Sequence, residues 1–557
     1  MNKHTTKRTV SLIAAAMMAM GGLVGCQPPK KETGLEDFEN RPKKVNVIYT
    51  ANAFGKEWIT NVAREYMTYH NEDTYIHLEQ TVTAGEEYSK VETGTASGDL
   101  YLFDQSLQTL NGQVEDMADV WNSYAIGEED KAGAKLIKDK LTPLMQSVPD
   151  PYGIRAYSLP YSHGTTYGFV YNKTVLDAAF PNGYTLPRTT EELFEMGDAL
   201  KSVDLADVNS DQDVYLLSAS LGDNNENLKY SQWAWFYQLM GYEKAEQFFS
   251  NGRYWDEASS KYLFDESKPT VYEVYKDEVM EFYNILDELM TESNKYVHKD
   301  ANSMDYIYAS GAAAGAGFKA NKSKVAFKVD GIYFESESNM FLKSLESRGQ
   351  KQEMGMMHFP VASAIINRLS TVNDDAMLRE VISYVDGDTT TKPAGVSDAD
   401  IEAVAEARGI TPMYLGGGMV IPKTASNKAG AKDFIRFMCS DEAAIASAKG
   451  LAGLEIIPYG KMVSNEELGF EKSHFLTTVS KWQTENKLLA ANSGLFETYG
   501  RFGVADGTAD NTLCYTIFRG QGAGAEAFWQ TAYTAFAYDW NIRVQDFKRY
   551  GGVTTND

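Results

Sequence analysis

Alternating strand and helix patterns mark the beginning of the folded body. Short β-rich apolar runs alternate with segments whose apolar residues recur at helical spacing. The predicted elements are strand 45–50, helix 58–70, strand 75–78, helix 86–95 and strand 100–103. This order predicts an α/β fold with a parallel sheet that helices cover on both faces. Ligands of such sheets bind beyond the carboxyl ends of the strands, so we expect residues 52–54 and 103–106 at the mouth of a site.

The first 26 residues carry the pattern of an export signal. A positively charged start precedes an apolar stretch at 10–24, which is shorter than the roughly 20 residues that a membrane-spanning helix needs. It ends in Leu23-Val24-Gly25-Cys26, which resembles the lipobox of bacterial lipoproteins. That resemblance implies a signal peptide at 1–25, a lipid on Cys26 and an anchor on the outer face of the cell membrane. An ordinary secretory signal is the alternative, and the polar, proline-containing residues 26–43 predict a flexible linker.

Charge and cysteine content narrow the classes of partner. The chain has 557 residues, with 77 Asp and Glu against 52 Lys and Arg, a formal net charge of −25. Such an acidic protein repels phosphate backbones, so nucleic acid is not an expected partner. Beyond residue 45 no stretch is apolar and long enough to cross a bilayer. Cys439 and Cys514 either form a disulfide or stay as buried thiols, and three cysteines cannot build a paired-cysteine zinc site.

Local motifs for catalysis are weak. H-E-x-x-H, G-x-S-x-G and C-x-x-C are absent, and the seven histidines do not have the spacing of a metal-binding helix. Residues 311–319 (GAAAGAGFK) are only superficially similar to a phosphate loop, because Phe318 separates Gly317 from Lys319, and they predict a flexible loop. A glycosidase needs only two facing carboxylates and no local motif, so a secreted glycosidase is an alternative function.

Six segments occur in an order that is typical of one family. They are 97–103 (SGDLYLF), 159–173 (LPYSHGTTYGFVYNK) followed by 186–193 (LPRTTEEL), 324–334 (KVAFKVDGIYF), 354–360 (MGMMHFP), 416–441 (GGGMVIPKTASNKAGAKDFIRFMCSD) and 455–458 (EIIP). Together they resemble the bacterial extracellular solute-binding proteins, the group that includes maltose-binding protein. The resemblance implies a receptor that passes its ligand to the permease subunits of an ABC transporter. Such a receptor performs no chemistry and requires no cofactor.

The resemblance implies a two-lobe fold of the periplasmic-binding-protein type II class, with the ligand cleft between the lobes. Mapping the segments places lobe one at 44–165 and 358–453, and lobe two at 166–357 and 454–557. In such receptors the bound solute favours a closed hinge arrangement, which the permease recognises. We expect a monomer that touches the membrane only through its lipid anchor.

A carbohydrate is the expected ligand, since rings stack on sugar C–H faces and polar side chains satisfy hydroxyl groups. The candidate ligand contacts implied by the mapping are Phe103, Asp104, Tyr161, His163, Trp233, Trp235, Tyr333 and Gly417. Each aromatic candidate has a core role as its alternative, and His163 a structural hydrogen-bonding role. Trp58, Trp121, Trp482 and Tyr499 rank lower. The length of the chain favours an oligosaccharide, and its acidity favours a neutral sugar over an anionic one, while peptides, polyamines and other solutes remain open. A surface adhesin that holds polysaccharide without transporting it is the alternative function, beside the less favoured glycosidase.

One segment suggests a metal. Asp207, Asn209, Asp211 and Asp213 place oxygen atoms at alternate residues, as a calcium-binding loop does. Some larger members of the family carry a structural calcium site in this region. Gln212 stands where the loop needs a glycine, and no glutamate closes it at the usual distance. A calcium ion bound here would be structural, and a solvated acidic turn is the alternative.

Overall fold

The fold is described from a computed structural model. The residues it describes are 35–50, 55–105, 107–148, 150, 153–208, 210–221, 228–249, 253–256, 261–264, 276–317, 322–414, 417–460, 462–483, 488–491, 509–531, 533–534, 545, 548 and 553–554. The predicted signal peptide and the lipidation site Cys26 lie outside these residues. The second half of the predicted linker is folded, because Leu35 is buried in a hydrophobic core and Arg41 Nη1 donates to the Thr74 carbonyl at 3.1 Å.

The chain alternates short strands with helices along most of its described length. The strands are β1 Lys43–Thr50, β2 Thr74–Thr81, β3 Leu100–Phe103, β4 Thr165–Asn172, β5 Val214–Ser218, β6 Arg253–Asp256, β7 Lys261–Phe264, β8 Lys324–Gly331, β9 Met354–Met357, β10 Ile410–Tyr414, β11 Gly418–Val420, β12 Leu489–Ala491 and β13 Val553–Thr554. The α-helices of the first half are α1 Glu57–Tyr69, α2 Ala84–Glu92, α3 Ala118–Trp121, α4 Pro143–Ser147, α5 Lys173–Ala179, α6 Thr190–Leu200, α7 Lys229–Met240 and α8 Tyr242–Phe249. Those of the second half are α9 Lys276–Met290, α10 Tyr306–Gly311, α11 Phe334–Glu337, α12 Asn339–Glu346, α13 Asp375–Val385, α14 Asp398–Gly409, α15 Lys428–Met438, α16 Asp441–Gly450, α17 Asn465–Leu468, α18 His474–Gln483 and α19 Ala509–Phe518.

The first sheet has the strand order β11-β3-β1-β2. Strand β1 is parallel to β2 and β3, while β11 is antiparallel to β3. The predicted strand and helix order therefore holds for residues 43–103, and the apolar stripe of α1 faces the interior through Trp58, Val62 and Tyr66. The carboxyl ends of β1 and β3 share one edge of this sheet, where a ligand is expected.

The second sheet is mixed and has the order β12-β10-β4-β8-β5, with β9 also paired to β4. Strand β4 is antiparallel to β8, β9 and β10, whereas β5 is parallel to β8. A smaller sheet has the order β13-β7-β6. The protein is thus an α/β protein built on two main sheets, which agrees with the expected two-lobe class.

Two large hydrophobic cores group most of the buried apolar side chains, and both draw on the second sheet: Val170 and Met413 pack in the first core, and Phe169 in the second. The cores follow neither the sheets nor the predicted lobe boundaries, which stay a prediction. Apolar side chains between Phe359 and Ile410 pack in the second core, although 358–453 was assigned to lobe one. Apolar side chains between Leu454 and Trp482 pack in the first core, although 454–557 was assigned to lobe two. The reason is non-local pairing, because β9 and β10 both bond to β4 and hold the intervening chain on the second sheet.

Two further expectations have definite outcomes in the structure. Residues 312–316 of the predicted flexible loop form a π-helical turn that continues α10, and Ala312, Ala313 and Ala314 in it are buried. Gly311 has no room for a side chain, since a Cβ atom there would lie 2.8 Å from the Phe341 ring. Cys439 and Cys514 are both buried free thiols. Among the described residues, every helix is too short or too polar to cross a membrane.

Candidate ligand site

The chain passes from the first sheet to the second through residues 159–165. Leu159 exchanges backbone hydrogen bonds with Met419 of β11, at 2.7 and 3.3 Å. Six residues later the chain enters β4, where Thr165 pairs with Tyr414 of β10. A second crossing therefore runs beside the first, from Tyr414 in β10 to β11. Both crossings lie at the edge of the first sheet where β3 ends, and the predicted contact residues gather around them.

An aromatic pair lies on the first-core side of the crossing. Trp58, in the first turn of α1, stacks on Tyr161 with ring centroids 5.8 Å apart and planes 9° apart. Burial and the nearby Asp104 carboxylate raise the pKa of the Tyr161 hydroxyl above its usual value. The structure thus brings together Tyr161 and Asp104, which were predicted contacts, with Trp58, which ranked lower. Residues 52–54 and Ser106, expected at the same place, lie outside the described residues.

A second aromatic group lies on the second-core side. Tyr167 of β4 stacks on Tyr230 of α7 at 3.3 Å between centroids, and Tyr230 meets Trp233 edge to face at 4.8 Å. Tyr333 joins this group to the crossing, because its hydroxyl donates to the Gly164 carbonyl at 3.1 Å. Burial, Tyr230 and Asp330 together raise the pKa of Tyr167. Sequence reasoning missed Tyr167 and Tyr230, although Tyr230 precedes Trp233 by the i, i+3 spacing that places both on one helix face.

Two buried hydroxyl groups occur near the ends of β1 and β4. Thr50 Oγ1 lies at the carboxyl end of β1, and Thr166 Oγ1 lies in the second residue of β4. Both atoms are shielded from solvent, and neither has a hydrogen-bond partner among the described residues. A buried polar atom without a partner costs free energy, so native structures rarely keep one that no other group or ligand satisfies. These hydroxyls are candidates to bind a polar ligand.

Two predicted contacts belong to the core instead. Trp235 is fully buried, and its indole nitrogen donates to the Pro360 carbonyl at 3.1 Å. The Phe103 ring packs against Tyr101 and Tyr88 at centroid distances of 5.5 and 5.4 Å within the first core. Both rings pack in a core in this structure, and their assignment as ligand contacts stays a prediction. Trp233 points elsewhere from the same helix, because residues two apart on a helix lie on different faces.

His163 and Gly417 contribute through the backbone. His163 is buried, its backbone N–H donates to the Ile456 carbonyl at 2.8 Å, and burial lowers the pKa of its imidazole to about 4. Its Nδ1 atom lies 3.5 Å from Thr142 Oγ1. A Cβ atom on Gly417 would overlap the Phe103 carbonyl oxygen, so only glycine allows the second crossing to lie this close to β3. Both residues hold the crossings in place. For His163 this is the structural role given as its alternative, and ligand contact by either residue stays a prediction.

The sequence profile of the bacterial extracellular solute-binding proteins matches residues 71–466, most of the chain. The chain belongs to this family. It is therefore a solute receptor rather than an enzyme, and the ordered segments found by sequence reasoning are confirmed as a family signal. No curated protein sequence matches the chain.

Solved structures show the same fold at low sequence identity. The receptor resembles the sugar-binding protein MalE of Xanthomonas citri at 12% identity, with 91% of this chain and 100% of that chain covered and a TM-score of 0.54. It resembles the apo-form of RafE from Streptococcus pneumoniae at 13% identity, with 89% and 97% covered and a TM-score of 0.54. It also resembles a putative binding protein of Bacillus subtilis in an open conformation, at 12% identity with 90% and 98% covered and a TM-score of 0.52.

A buried charge network underlies the second aromatic group of the receptor. Lys328 and Asp330 of β8 form an ion pair at 3.0 Å and are almost inaccessible to solvent. The Tyr306 hydroxyl donates to Glu337 at 2.7 Å and lies 3.2 Å from Asp330 Oδ1, while the Lys328 ammonium lies over the Tyr306 ring. The Asp330 carboxylate also accepts the Gly331 N–H at 2.8 Å. The network therefore fixes the end of β8, two residues before Tyr333.

The predicted calcium loop has another arrangement. Asp213 is buried and accepts the Leu205 N–H at 2.7 Å, and Asp207 lies 3.6 Å from the Lys324 ammonium. Asn209 lies outside the described residues. Within the part of the chain that the structure describes, no group of three or more acidic, histidine or cysteine side chains could hold a metal. The described residues of this loop do not fit a calcium site, because the Asp213 carboxylate accepts a backbone N–H and the Asp207 carboxylate lies beside a lysine ammonium.

Proposed function

We propose that the protein is a lipid-anchored extracellular receptor that binds a carbohydrate between its lobes and delivers it to an ABC permease. The observation that carries the proposal is the placing of aromatic rings on both sides of the crossing. Trp58 and Tyr161 lie on one side, and Tyr167, Tyr230 and Trp233 on the other. A solute held between the lobes would meet ring faces on both sides.

Sugar chemistry fits these groups. Aromatic faces bind the C–H faces of pyranose rings, while carboxylate and hydroxyl oxygens bind their hydroxyl groups. Asp104 lies close enough to Tyr161 to raise its pKa, and Thr50 and Thr166 supply buried hydroxyls near the ends of β1 and β4. The charges that act on Tyr161 and Tyr167 are negative, which favours a neutral sugar over an anionic one.

The structural relatives support the same ligand class. The solute receptor AcbH, with a TM-score of 0.53 and 13% identity, is described as having an exclusive preference for β-D-galactopyranose. RafE has been solved in complex with raffinose, with a TM-score of 0.50 and 14% identity to this chain. The length of the mature chain favours an oligosaccharide over a single sugar.

The lipid anchor and the delivery to a permease are proposed from the sequence and the family. The lipobox that ends in Cys26 supports lipid attachment, and the family supports delivery to a transporter. Replacing Cys26 with Ser should release the receptor from the membrane fraction of cells that express it, because no thiol remains for the lipid. A variant that stays with the membrane would contradict lipid anchoring at this residue.

Ligand binding is tested by a thermal-shift screen of the mature chain, with Cys26 replaced by Ser, against mono- and oligosaccharides. A ligand at about 100 times its Kd adds about 2.7 kcal/mol to the free energy of unfolding. For a chain of this size, the midpoint of thermal unfolding should rise by at most about 2–4 °C. The sugar should be recovered unaltered. No shift with any sugar would refute the carbohydrate assignment, and a cleaved sugar would refute a pure receptor.

The site itself is tested with matched variants. Trp58→Ala should weaken binding about tenfold or more, since it removes a stacking face. Tyr69→Ala is the control, because this ring is exposed at the far end of the same helix. Thr166→Val separates ligand contact from structure: removal of an unpartnered buried hydroxyl should leave the midpoint unchanged or raise it, yet weaken binding. Unchanged binding in both site variants would place the ligand elsewhere.

A further inference from the structure

The folded body begins only a short distance along the chain from the proposed lipidation site. Leu35 is 3% exposed and packs in the first core, and its carbonyl accepts the Phe38 N–H at 3.1 Å. Residues 27–34 are therefore all that separates Cys26 from a buried side chain. Even a fully extended chain of this length spans at most about 32 Å, so Leu35 lies within this distance of Cys26.

The segment that follows Leu35 is attached firmly to the first sheet. Arg41 Nη1 donates to the Thr74 carbonyl at 3.1 Å. The Lys43 N–H donates to the Asp73 carbonyl at 3.0 Å, where β1 begins beside the start of β2. We call this surface the Leu35 pole, which comprises residues 35–44 and 69–74. The remaining linker, residues 27–34, is thus attached to a fixed part of the body.

The Leu35 pole lies at one edge of the first sheet, and the expected ligand edge lies at the other. Strands β1, β2 and β3 are parallel, so their amino ends share the first edge and their carboxyl ends the second. The eight residues of β1, at about 3.3 Å each, place the two edges about 25 Å apart. Helix α1 has the matching polarity, because Trp58, which stacks on Tyr161, lies in its first turn and Tyr69 ends it at the pole.

The remaining linker is short in comparison with the body that it holds. A compact chain of about 520 residues has a radius of gyration of about 24 Å, which corresponds to a diameter of about 60 Å. With the pole turned away from the membrane, Leu35 would lie about 60 Å above it, nearly twice the greatest reach of the linker. The typical end-to-end distance of such a linker is about 15–18 Å, which is less than the radius of the body.

Charge does not attract the Leu35 pole to a membrane. Its residues include five acidic side chains and three lysine or arginine side chains, so it carries no excess of positive charge for anionic lipid headgroups. The Lys43 ammonium, moreover, lies 3.6 Å from the Asp73 carboxylate. An orientation of the receptor on the membrane therefore comes from the length of the linker and the place where it joins the body.

We propose that the short linker holds the Leu35 pole toward the lipid surface and directs the ligand edge of the first sheet toward the medium. The inference rests on the proposed lipid anchor at Cys26 and adds the orientation that this anchor imposes. The ligand edge then lies about 25 Å farther from the membrane than the pole does. A solute reaches the ligand edge from the aqueous side.

The test is energy transfer from a dye on the receptor to acceptor-labelled lipids in vesicles of phosphatidylcholine with a minor fraction of phosphatidylglycerol. The full receptor is purified in lipidated form from the membranes of a bacterial host, so the Cys26 thiol is blocked, while Cys439 and Cys514 are buried. The dye is placed on Glu72→Cys in the pole, or on Val82→Cys, which follows the carboxyl end of β2 and is 89% exposed. Because β2 separates the two positions by about 25 Å, transfer from position 72 should be about twofold or more stronger than from position 82.

A longer linker is the control for the cause of the orientation. Insertion of about 60 glycine and serine residues after Gly34 raises the typical end-to-end distance to about 40–50 Å, which exceeds the radius of the body. The difference between the two dyes should then become small. A difference as large as that of the native linker would overturn the short linker as the cause.

The outcome with the native linker decides the orientation. Stronger transfer from Glu72→Cys supports it, whereas equal transfer from both dyes, or stronger transfer from Val82→Cys, in vesicle-bound receptor would overturn it. Receptor that does not sediment with the vesicles would refute the lipid anchor itself, and the inference with it. Because the measurement needs no ligand, failure of the sugar assignment leaves its result unaffected.

Discussion

The buried imidazole of His163 should make the stability of the receptor depend on pH in a defined range. His163 is 4% exposed at the crossing, and burial lowers the pKa of its imidazole from 6.5 to about 4. In the unfolded chain the imidazole binds a proton below about pH 6.5. In the folded chain it stays neutral until about pH 4. The unfolded state therefore binds more protons between these values, and stability falls as the pH falls through this range.

The size of the effect follows from the two pKa values. The fall in the pKa from 6.5 to about 4 corresponds to about 3 kcal/mol when the pH is well below both values. Between about pH 7.5 and pH 4.5, linkage predicts that this one group removes about 2–3 kcal/mol from the free energy of unfolding. The stability is fully present above about pH 6.5, and no further loss from this group occurs below about pH 4.

The assay is urea unfolding of the wild type and of His163→Asn at a series of pH values. The variant should be less stable at neutral pH because it loses packing, yet its stability should depend less on pH, by about 2–3 kcal/mol over the same range. Titration of the carboxylates cancels in the difference between the two proteins. Thr142→Val, which removes the hydroxyl 3.5 Å from Nδ1, should keep the full pH dependence if burial is the cause. Parallel stability profiles for the wild type and His163→Asn would refute the reasoning.

Three further predictions test other parts of the structure. Asp330→Asn should lower the free energy of unfolding by about 3–5 kcal/mol, because it removes the carboxylate beside the buried Lys328 ammonium. Adding Lys328→Met to the same chain should restore part of this stability, as measured by urea unfolding. Gly417→Ala should cost about 1–3 kcal/mol through overlap with the Phe103 carbonyl, whereas Gly85→Ala, with open space in α2, should be neutral or stabilising. EDTA should leave the thermal midpoint unchanged, and a midpoint that falls with EDTA would support the calcium site. Asp213→Ala should lower the midpoint, because it removes the acceptor for the Leu205 N–H.

Local patterns in the sequence predicted those elements whose stability is local. Asn427 precedes α15 and caps it, since its side chain accepts the Gly430 N–H. Thr189 caps α6 in the same way, since its hydroxyl accepts the Glu192 N–H. In both cases the side chain and the backbone group it satisfies are three residues apart, so periodicity and a capping residue are enough.

Contacts between distant segments could not be read from such patterns. Nothing in the residues 410–414 shows that they pair antiparallel with β4, some 245 residues earlier, so the packing of Phe359 to Ile410 in the second core could not be foreseen. Trp233 and Trp235 likewise look equivalent in the sequence. Only the position of α7 against β4 and Pro360 separates the ring beside the crossing from the ring in the core.

The two aromatic groups are almost as buried as the core, which bears on how a ligand reaches them. Trp58, Tyr161, Tyr167, Tyr230 and Trp233 are each less than a tenth exposed. Stacking on another ring covers one face of each ring, and each such contact contributes about 0.5–1.5 kcal/mol beyond its buried area. A sugar that binds there must displace one ring from another or enter while the lobes are apart. Either route makes binding a competition with contacts of the receptor itself, so a solute that replaces them poorly gains little. Selectivity then comes from what the ligand must displace as much as from what it touches.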